Sequence, residues 1–414
     1  MHSPEAIDLV FNSDLFKVAG EVLEGEVLLN FPTLQLDKVE EVYVKLEGTI
    51  STRITRSRGN TSNTSRQTVH LYDQKIPVWS RGTAYPPPDT HILTIPFRFT
   101  LPSKLPPSCE FDTLDRGGRV EYSIQVVGVR PGKFQINRRI LRPFVVVPPH
   151  PKGAAVGQAL RAGWAGGWRS IMETKPVRRG IWGEYSNVKW TITVPNIDVF
   201  PILTPIPFTI NVVTMTKPMK RSEDTAQKDE PIFPAPPRTV QGIEFKLQRN
   251  IHIKAMLDEI GSKGVFVAHL GGFDVKARSS DTPTTPVEVE VMDNVWIPAA
   301  LGNEKDQRGS WKQEVNFRSS FTLKCPPAFS MTTMTVHYWM FLKVDFPGIG
   351  NNLRGQFPLR ILSNLQAPGD GVPWDGPPPI LDIPPSYFAT ENNVKDNDAD
   401  PDSGPPSPDY DHSP

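Results

Sequence analysis

The feature that most constrains the fold is an alternation of apolar and polar residues with a period of two. It recurs along the chain at 42–46, 120–126, 190–194, 208–212, 251–253 and 287–291. Successive side chains of a strand point to opposite faces, so each segment predicts a strand with one face on a core. Turn signals separate the segments, as in β-sandwiches. The 44 prolines also disfavour a helical protein. The sequence therefore predicts an all-β body.

Chain length and a sequence pattern that occurs in both halves of the chain, here called the internal echo, indicate two sandwiches. The 414 residues exceed one ordinary sandwich. A strand end, a double proline and a new strand opening follow one another at 97–101, 106–107 and 120–122, and again at 321–323, 326–327 and 336–338. A double proline blocks further ladder pairing in both places. The predicted divisions are an amino-terminal sandwich at 1–148, a linker at 149–180, a carboxy-terminal sandwich at 181–365 and a tail at 366–414.

The zero net charge of the chain conceals an acidic tail. Residues 368–414 contain nine Asp, one Glu and one Lys, which gives −9 and leaves +9 for the rest of the chain. The same segment has twelve prolines and few aliphatic residues. It cannot bury enough apolar surface to offset chain entropy, so it predicts disorder. The balanced total argues against a global nucleic-acid binder.

Several classes of protein are disfavoured by what the sequence lacks. Its two cysteines, Cys109 and Cys325, cannot form a disulfide framework and are interpreted as buried small hydrophobes. No apolar run reaches the ~18 residues of a membrane span, and no secretory signal opens the chain. The eight histidines lack metal-ligand spacing, and no phosphate loop or nucleophile motif occurs. We expect an intracellular protein without catalytic residues, metal or cofactor. A β-sandwich hydrolase with two converging carboxylates is the enzyme alternative.

The sharpest functional motif lies in the tail, at Pro384, Pro385, Ser386 and Tyr387. Consecutive prolines favour a polyproline II helix, which docks on an aromatic-lined groove with little entropy left to lose. The tyrosine then places an amphipathic ring in a neighbouring pocket. Pro-Pro-x-Tyr is the ligand pattern of WW domains, so these four residues predict a WW-domain site. The alternative is coincidence in a proline-rich segment.

An aromatic and basic segment lies between the two predicted sandwiches. Trp164, Trp168 and Arg169 stand among glycines and further basic residues. One interpretation is contact with an anionic membrane surface. The other is a linker that packs its aromatic rings on a sandwich edge, since its glycines disfavour a helix.

A second basic segment, 53–68, is rich in arginine, serine and threonine. It predicts an exposed loop whose phosphorylation would neutralise a basic patch. An unmodified, solvated hairpin loop is the alternative.

Parts of the sequence resemble the α-arrestin family. Residues 20–29 and 42–48 are similar to the opening strands of the arrestin amino-terminal domain, and 97–108 with 118–122 to its most recognisable block. The second half is similar more loosely, at 206–208, 321–327 and 338–344. The resemblance implies two tandem immunoglobulin-type sandwiches of about seven strands each. It also implies an adaptor and not an enzyme.

The resemblance gives the tail motif a role. α-Arrestins recruit HECT-type ubiquitin ligases through Pro-Pro-x-Tyr and bring them to membrane transporters and receptors, which are ubiquitinated and internalised. We therefore expect a fungal-type arrestin-related trafficking adaptor. Its expected partners are a WW-domain HECT ligase and the cytosolic tails of transporters or receptors, and its expected location is the cytoplasm, with recruitment to the plasma membrane or endosomes. The alternative is a trafficking scaffold of the same fold, of the retrieval-complex type, without ligase recruitment.

Overall fold

The structure is a computed structural model that describes residues 5–11, 16–132, 135–180, 182–221, 232–261, 264–273, 285–299 and 308–369. Strands predominate in these residues, which confirms the all-β fold. The predicted WW-domain site and nearly all of the predicted tail lie outside them. The predicted disorder of the tail therefore stays a prediction.

The amino-terminal sandwich comes first along the chain. Its elements are β1 (Ile7–Phe11), β2 (Phe16–Val18), β3 (Val22–Asn30), α1 (Phe31–Leu36), β4 (Glu41–Arg58), β5 (Thr61–Ser80), β6 (Ile92–Thr100), β7 (Cys109–Asp112), β8 (Arg116–Val129) and β9 (Arg138–Val147). Among the described residues, one sheet has the order β1-β3-β6. The other has the order β2-β9-β8-β4-β5, with β7 also paired to β8.

The alternation in the sequence becomes alternating burial in this sandwich. Val42, Val44 and Leu46 of β4 are buried, and the residues between them are half-buried. β8 pairs with β4 over its length and buries Val120 and Tyr122. This confirms the strands predicted at 42–46 and 120–126.

The carboxy-terminal part of the chain contains a second pair of sheets. Its elements are α2 (Pro151–Arg161), β10 (Trp168–Arg178), β11 (Tyr185–Pro195), β12 (Phe200–Pro201), β13 (Pro205–Met215), β14 (Met219–Lys220), a 3₁₀ turn (Val240–Gly242), β15 (Ile243–Ala255), β16 (Asp258–Gly261), β17 (Val265–His269), β18 (Glu288–Val291), β19 (Val295–Pro298), β20 (Arg308–Thr322), β21 (Phe329–Ser330), β22 (Met334–Asp345), β23 (Asn352–Leu359) and β24 (Ile361–Leu362).

These strands form a sandwich whose core contains a cluster of phenylalanine rings. In the described residues, β10-β11-β13-β20-β14 form one sheet, with β18 and β19 also on β20. The facing sheet is β16-β15-β22-β21, with β17 on β15 and β23 on β22. Between them the Phe208 and Phe245 rings lie 5.0 Å apart, and Phe321 is within 5.9 Å of both. Aromatic pairs at such distances add to the free energy of apolar burial.

The stretch predicted as a linker, 149–180, contains two regular elements that the sequence does not predict. His150 caps α2 by accepting from the Gly153 amide at 3.2 Å. Gly153 and Gly157 are buried in the helix, because they face Ser363 and Asn364, which follow β24. β10 then pairs with β11 over its whole length, so 168–178 belongs to the carboxy-terminal sheet. Tertiary packing outweighs the low helix propensity of glycine here.

The internal echo corresponds to similar positions in the two halves. Tyr122 on β8 and Tyr338 on β22 are each 1 % exposed. The Tyr122 hydroxyl donates to the Pro106 carbonyl at 2.7 Å, so the double proline and the tyrosine are linked directly. Cys109 and Cys325 are not joined in a disulfide, and both are buried, as predicted.

Candidate interaction surfaces

The chain leaves the described body beside the amino-terminal sandwich. A Cβ on Gly20 would lie 3.5 Å from Cδ of Pro368 and 3.8 Å from Cα of Ser103. Gly20 has φ +96°, a conformation that favours glycine. Pro384, Pro385, Ser386 and Tyr387 themselves lie outside the described residues. Their attachment point is beside the amino-terminal sandwich, although the last strand before it in the sequence, β24, pairs with β12 in the carboxy-terminal part.

The residues predicted for membrane contact do not share one surface. Trp164 packs against the core, and its Nε1 donates to the Gly167 carbonyl at 2.9 Å. Trp168 opens β10 and is 49 % exposed. Arg169, the next residue, points to the other side of the strand and lies 5.4 Å from the centre of the Phe200 ring. The membrane contact stays a prediction.

The segment 53–68 is a β-hairpin and not a loop. β4 and β5 remain paired up to Arg58 and Thr61, and the turn is made at Gly59 and Asn60. Backbone pairing satisfies the N–H and C=O groups that a loop would leave to water. Most of the segment is exposed, as predicted, but it is a paired hairpin and not a loop, and its phosphorylation stays a prediction. The sequence gives little sign of the hairpin, since most of its side chains are polar on both faces.

One face of this hairpin contacts the carboxy-terminal sandwich through Asp258. The Asp258 carboxylate accepts from Arg56 Nε at 2.7 Å and from Ser65 Oγ at 2.5 Å. The hydrogen bond from Ser65, followed by the bond and charge of Arg56, lowers the pKa of this carboxyl. Asp258 lies about 200 residues from these partners in sequence, so no local motif could have predicted the contact.

Backbone groups complete the same junction. Thr52 Oγ1 donates to the Lys254 carbonyl at 2.8 Å, and the Gln67 side chain accepts from the Met256 amide at 2.7 Å. Arg116 donates to the Gly261 carbonyl at 2.9 Å. We call this set of contacts, with Asp258, the inter-sandwich junction. It joins the hairpin β4–β5, together with Arg116 of the neighbouring strand β8, to the hairpin β15–β16.

The opposite face of the hairpin borders a polar cavity of about 310 Å³. Arg53 and Arg66 are directly opposite each other on β4 and β5, and both line the cavity. Arg53 donates to Asp112 at 2.6 Å, and Arg119 pairs with Glu110. The cavity thus holds charges of both signs, which suits a polar ligand group better than an apolar one.

Strand pairing also assembles a cluster that the sequence spacing does not reveal. Glu47, His70 and Asp73 offer ligand atoms that all lie within 4.8 Å of one another. Lys45 Nζ lies 3.4 Å from Glu47 and 3.3 Å from Asp73. The lysine ammonium therefore already offsets part of the negative charge of these carboxylates.

None of the helices in the described ranges is long and apolar enough to cross a membrane.

The comparison with protein families gives one match. Residues 7–151 match the family model described as "Arrestin (or S-antigen), N-terminal domain". The match runs from the first residue of β1 to the first residue of α2, so it spans the amino-terminal sandwich. No curated protein was found to match the chain. The fold agrees with the match, and the arrestin domain supports an arrestin-like role as a trafficking adaptor. The chain is an arrestin-like protein whose amino-terminal sandwich is an arrestin N-terminal domain.

Proposed function

We propose that this protein is an arrestin-related adaptor that brings a WW-domain HECT ubiquitin ligase to membrane cargo. The observation that carries the proposal is the combination of an arrestin N-terminal domain at 7–151 with Pro384, Pro385 and Tyr387 in the tail. The body contacts the cytosolic tail of a transporter or receptor, at the plasma membrane or an endosome. The tail holds the ligase. The protein catalyses nothing itself.

The distance between body and motif suits such a tether. Pro384 is the fifteenth residue after Gly369, the last residue that the structure describes. Fifteen extended residues span at most about 50 Å. A WW domain bound at Pro384 would therefore be anchored within that distance of the amino-terminal sandwich. Tethering raises the local concentration of the ligase at bound cargo without a new contact between them.

The first test isolates the tail motif. A peptide of residues 376–396 is titrated into isolated WW domains, beside the same peptide with Tyr387→Ala. We expect the substitution to weaken binding by at least about tenfold, because a buried aromatic anchor contributes roughly 2 kcal/mol or more. Equal affinities would contradict ligase recruitment and favour the scaffold of the same fold.

The second test uses the full chain. Affinity purification of the wild type is compared with Tyr387→Ala and with Tyr410→Ala as a matched control. Tyr410 is also a tail tyrosine near prolines, but its spacing does not fit the motif. Ligase should be lost only with Tyr387→Ala, while cargo should be retained in all three. Retention of ligase by Tyr387→Ala would contradict the proposal.

A further inference from the structure

We propose that the outer edge of β10 is a self-association surface, on which two copies of this chain pair antiparallel about a two-fold axis at Ile171. β10 is the terminal strand of its sheet. Its inner edge pairs with β11 over eleven residues, and no strand among the described residues pairs with its outer edge. The segment 350–352 contacts β10 at Lys175 and Arg178, so residues 168–174 are the part of the edge that can present a row of backbone groups to another strand. This inference does not depend on the proposed function.

The charges of β10 indicate what pairs there. Arg169 and Glu173 lie on the same face of the strand, four residues apart, which is too far for them to pair with each other. Neither has an ion pair among the described residues, and Arg169 Nε is buried without a hydrogen-bond partner. In an antiparallel pair centred on Ile171, Arg169 of one copy lies directly opposite Glu173 of the other. The two-fold axis creates this ion pair twice.

Neighbouring registers are less favourable. Directly opposite residues must project from the same face of the sheet, and this requires the two-fold axis to pass through a residue of β10. The alternative registers therefore place the axis at a neighbouring residue. An axis at Ser170 places Arg169 opposite Ile171. An axis at Met172 places Arg169 opposite Lys175, and one at Glu173 places the two Glu173 carboxylates together. Like charges directly opposite are destabilising. The register at Ile171 is the one that pairs both charges.

The other face of β10 is consistent with the same register. Trp168 and Met172 project there and are 49 % and 55 % exposed. With the axis at Ile171, Met172 lies opposite Ser170 of the second copy and diagonally next to its Trp168. Diagonal neighbours are within reach of aromatic and long side chains. Contacts between the Met172 sulfur and the Trp168 ring then cover apolar surface that is exposed in the monomer. The exposed apolar residues and the unpaired charges thus have the same explanation.

The interface is small. A seven-residue overlap belongs with the interfaces under about 1,200 Å², which are typical of transient complexes. We therefore expect a reversible dimer that is populated at roughly micromolar concentration, not an obligate one.

A charge-swap series tests the register by sedimentation of the full chain over a range of concentrations. The wild type should dimerise. Arg169→Glu and Glu173→Arg should each weaken the dimer by more than about tenfold, because every copy contributes a like-charge pair. The double variant restores opposite charges and should restore the dimer. Glu40→Arg is the matched control, since Glu40 is exposed on the amino-terminal sandwich. A monomeric wild type, or a double variant no better than the single ones, would overturn the proposal.

Disulfide trapping tests the same register without disturbing the charges. Ser170→Cys and Met172→Cys are prepared separately, mixed and treated with diamide, which removes two electrons and two protons from a thiol pair. Directly opposite residues have Cα atoms about 4.5–5.5 Å apart, within disulfide range. The mixture should give a covalent dimer, and each variant alone much less. Cys109 and Cys325 are buried and do not compete. Equal yields in all three samples would refute the register.

Discussion

At Gly153 the first turn of α2 passes very close to Ser363, the residue that follows β24. A Cβ there would lie 1.9 Å from the Ser363 carbonyl oxygen, which is a backbone atom that cannot rotate away. Gly153→Ala should therefore destabilise the fold by about 2 kcal/mol or more, the cost of overpacking. Helix propensity alone would make the same change stabilising by about 1 kcal/mol. Urea unfolding distinguishes the two signs.

Ala155 provides the control for this prediction. It lies two residues further along α2 and is exposed. Ala155→Gly should cost only the propensity difference of about 1 kcal/mol. A Gly153→Ala variant more stable than the wild type would show that the helix does not pack on Ser363 as described.

The ion pairs of Glu244 make the stability of the fold depend on pH. Hydrogen bonds from Lys246 at 2.6 Å and Lys343 at 2.7 Å lower the pKa of its carboxyl to about 2. A lowered pKa means that the ion pairs stabilise the fold above the ordinary pKa of 4.5 and lose that effect as the pH falls toward 2. The gain is about 1 kcal/mol or less, because the side chain is 34 % exposed and solvent screens it.

The measurement is the difference in melting temperature between the wild type and Glu244→Gln. It should be present at pH 6 and shrink steadily between pH 4.5 and pH 2, because protonated glutamic acid resembles glutamine. A difference that stays constant over this range would contradict the lowered pKa.

Among the elements, the β4–β5 hairpin uses one of its faces to contact the carboxy-terminal sandwich. Removing the Asp258 carboxylate by Asp258→Ala breaks its hydrogen bonds with Arg56 and Ser65 in the inter-sandwich junction. Backbone amides at the β4–β5 tip and at residues 258–261 should then exchange faster with deuterium, because local opening no longer costs these contacts. Global stability should change little, since surface ion pairs contribute modestly.

Asp112→Ala is the control for the hairpin prediction. Asp112 also pairs with an arginine of the hairpin, Arg53, but both residues belong to the amino-terminal sandwich. Its loss should leave exchange at residues 258–261 unchanged, whereas Asp258→Ala should raise it. Equal effects of the two variants would mean that the junction does not hold the hairpins together.

The elements also show which structures the sequence can predict. Alternation predicts strands such as β4 and β8 because burying one face of a strand leaves a local trace with a period of two. α2 has no such trace, since its buried positions are small residues such as Gly153 and Gly157 that fit a surface built by distant segments. At 288–291 the pattern predicts the strand, yet Val289 and Val291 are partly exposed, because β18 pairs with β20 at the rim of the sheet.

At the scale of the whole molecule, one buried core connects the two sandwiches. Buried residues of both belong to a single cluster, and a Cβ on Gly118 would lie 3.0 Å from Sδ of Met334. Burial raises the pKa of the Cys109 thiol to about 11. Cys109 and Cys325, one in each half, should thus be unreactive in the native protein. Both should become reactive over the same urea range, because unfolding either sandwich exposes the shared core.

The measurement is reaction with a chromogenic disulfide reagent during urea unfolding. Cys109→Ala and Cys325→Ala assign the signal to one thiol each, and circular dichroism follows the strands in parallel. Release of one thiol at a clearly lower urea concentration than the other would show that the sandwiches unfold independently.

The larger contacts could not be predicted from the sequence. Arg56, Ser65 and Asp258 meet only because two hairpins from different sandwiches face each other, and no spacing encodes such a meeting. Trp168 and Arg169 are near each other in sequence, yet strand β10 directs them to opposite faces. The tail motif, in contrast, can be recognised from the sequence alone. Its chemistry is complete within four residues, so its interpretation requires no fold and stays a prediction.

The packing of Pro368 beside Gly20 and Ser103 gives the proposed adaptor a direction. A ligase on the tail would work outward from this point of the amino-terminal sandwich. The exposed Lys104, next to Ser103, would come within its range early, and lysines far from Ser103 would come last. The place where the chain leaves the body would then decide which of the protein's own lysines receive ubiquitin first.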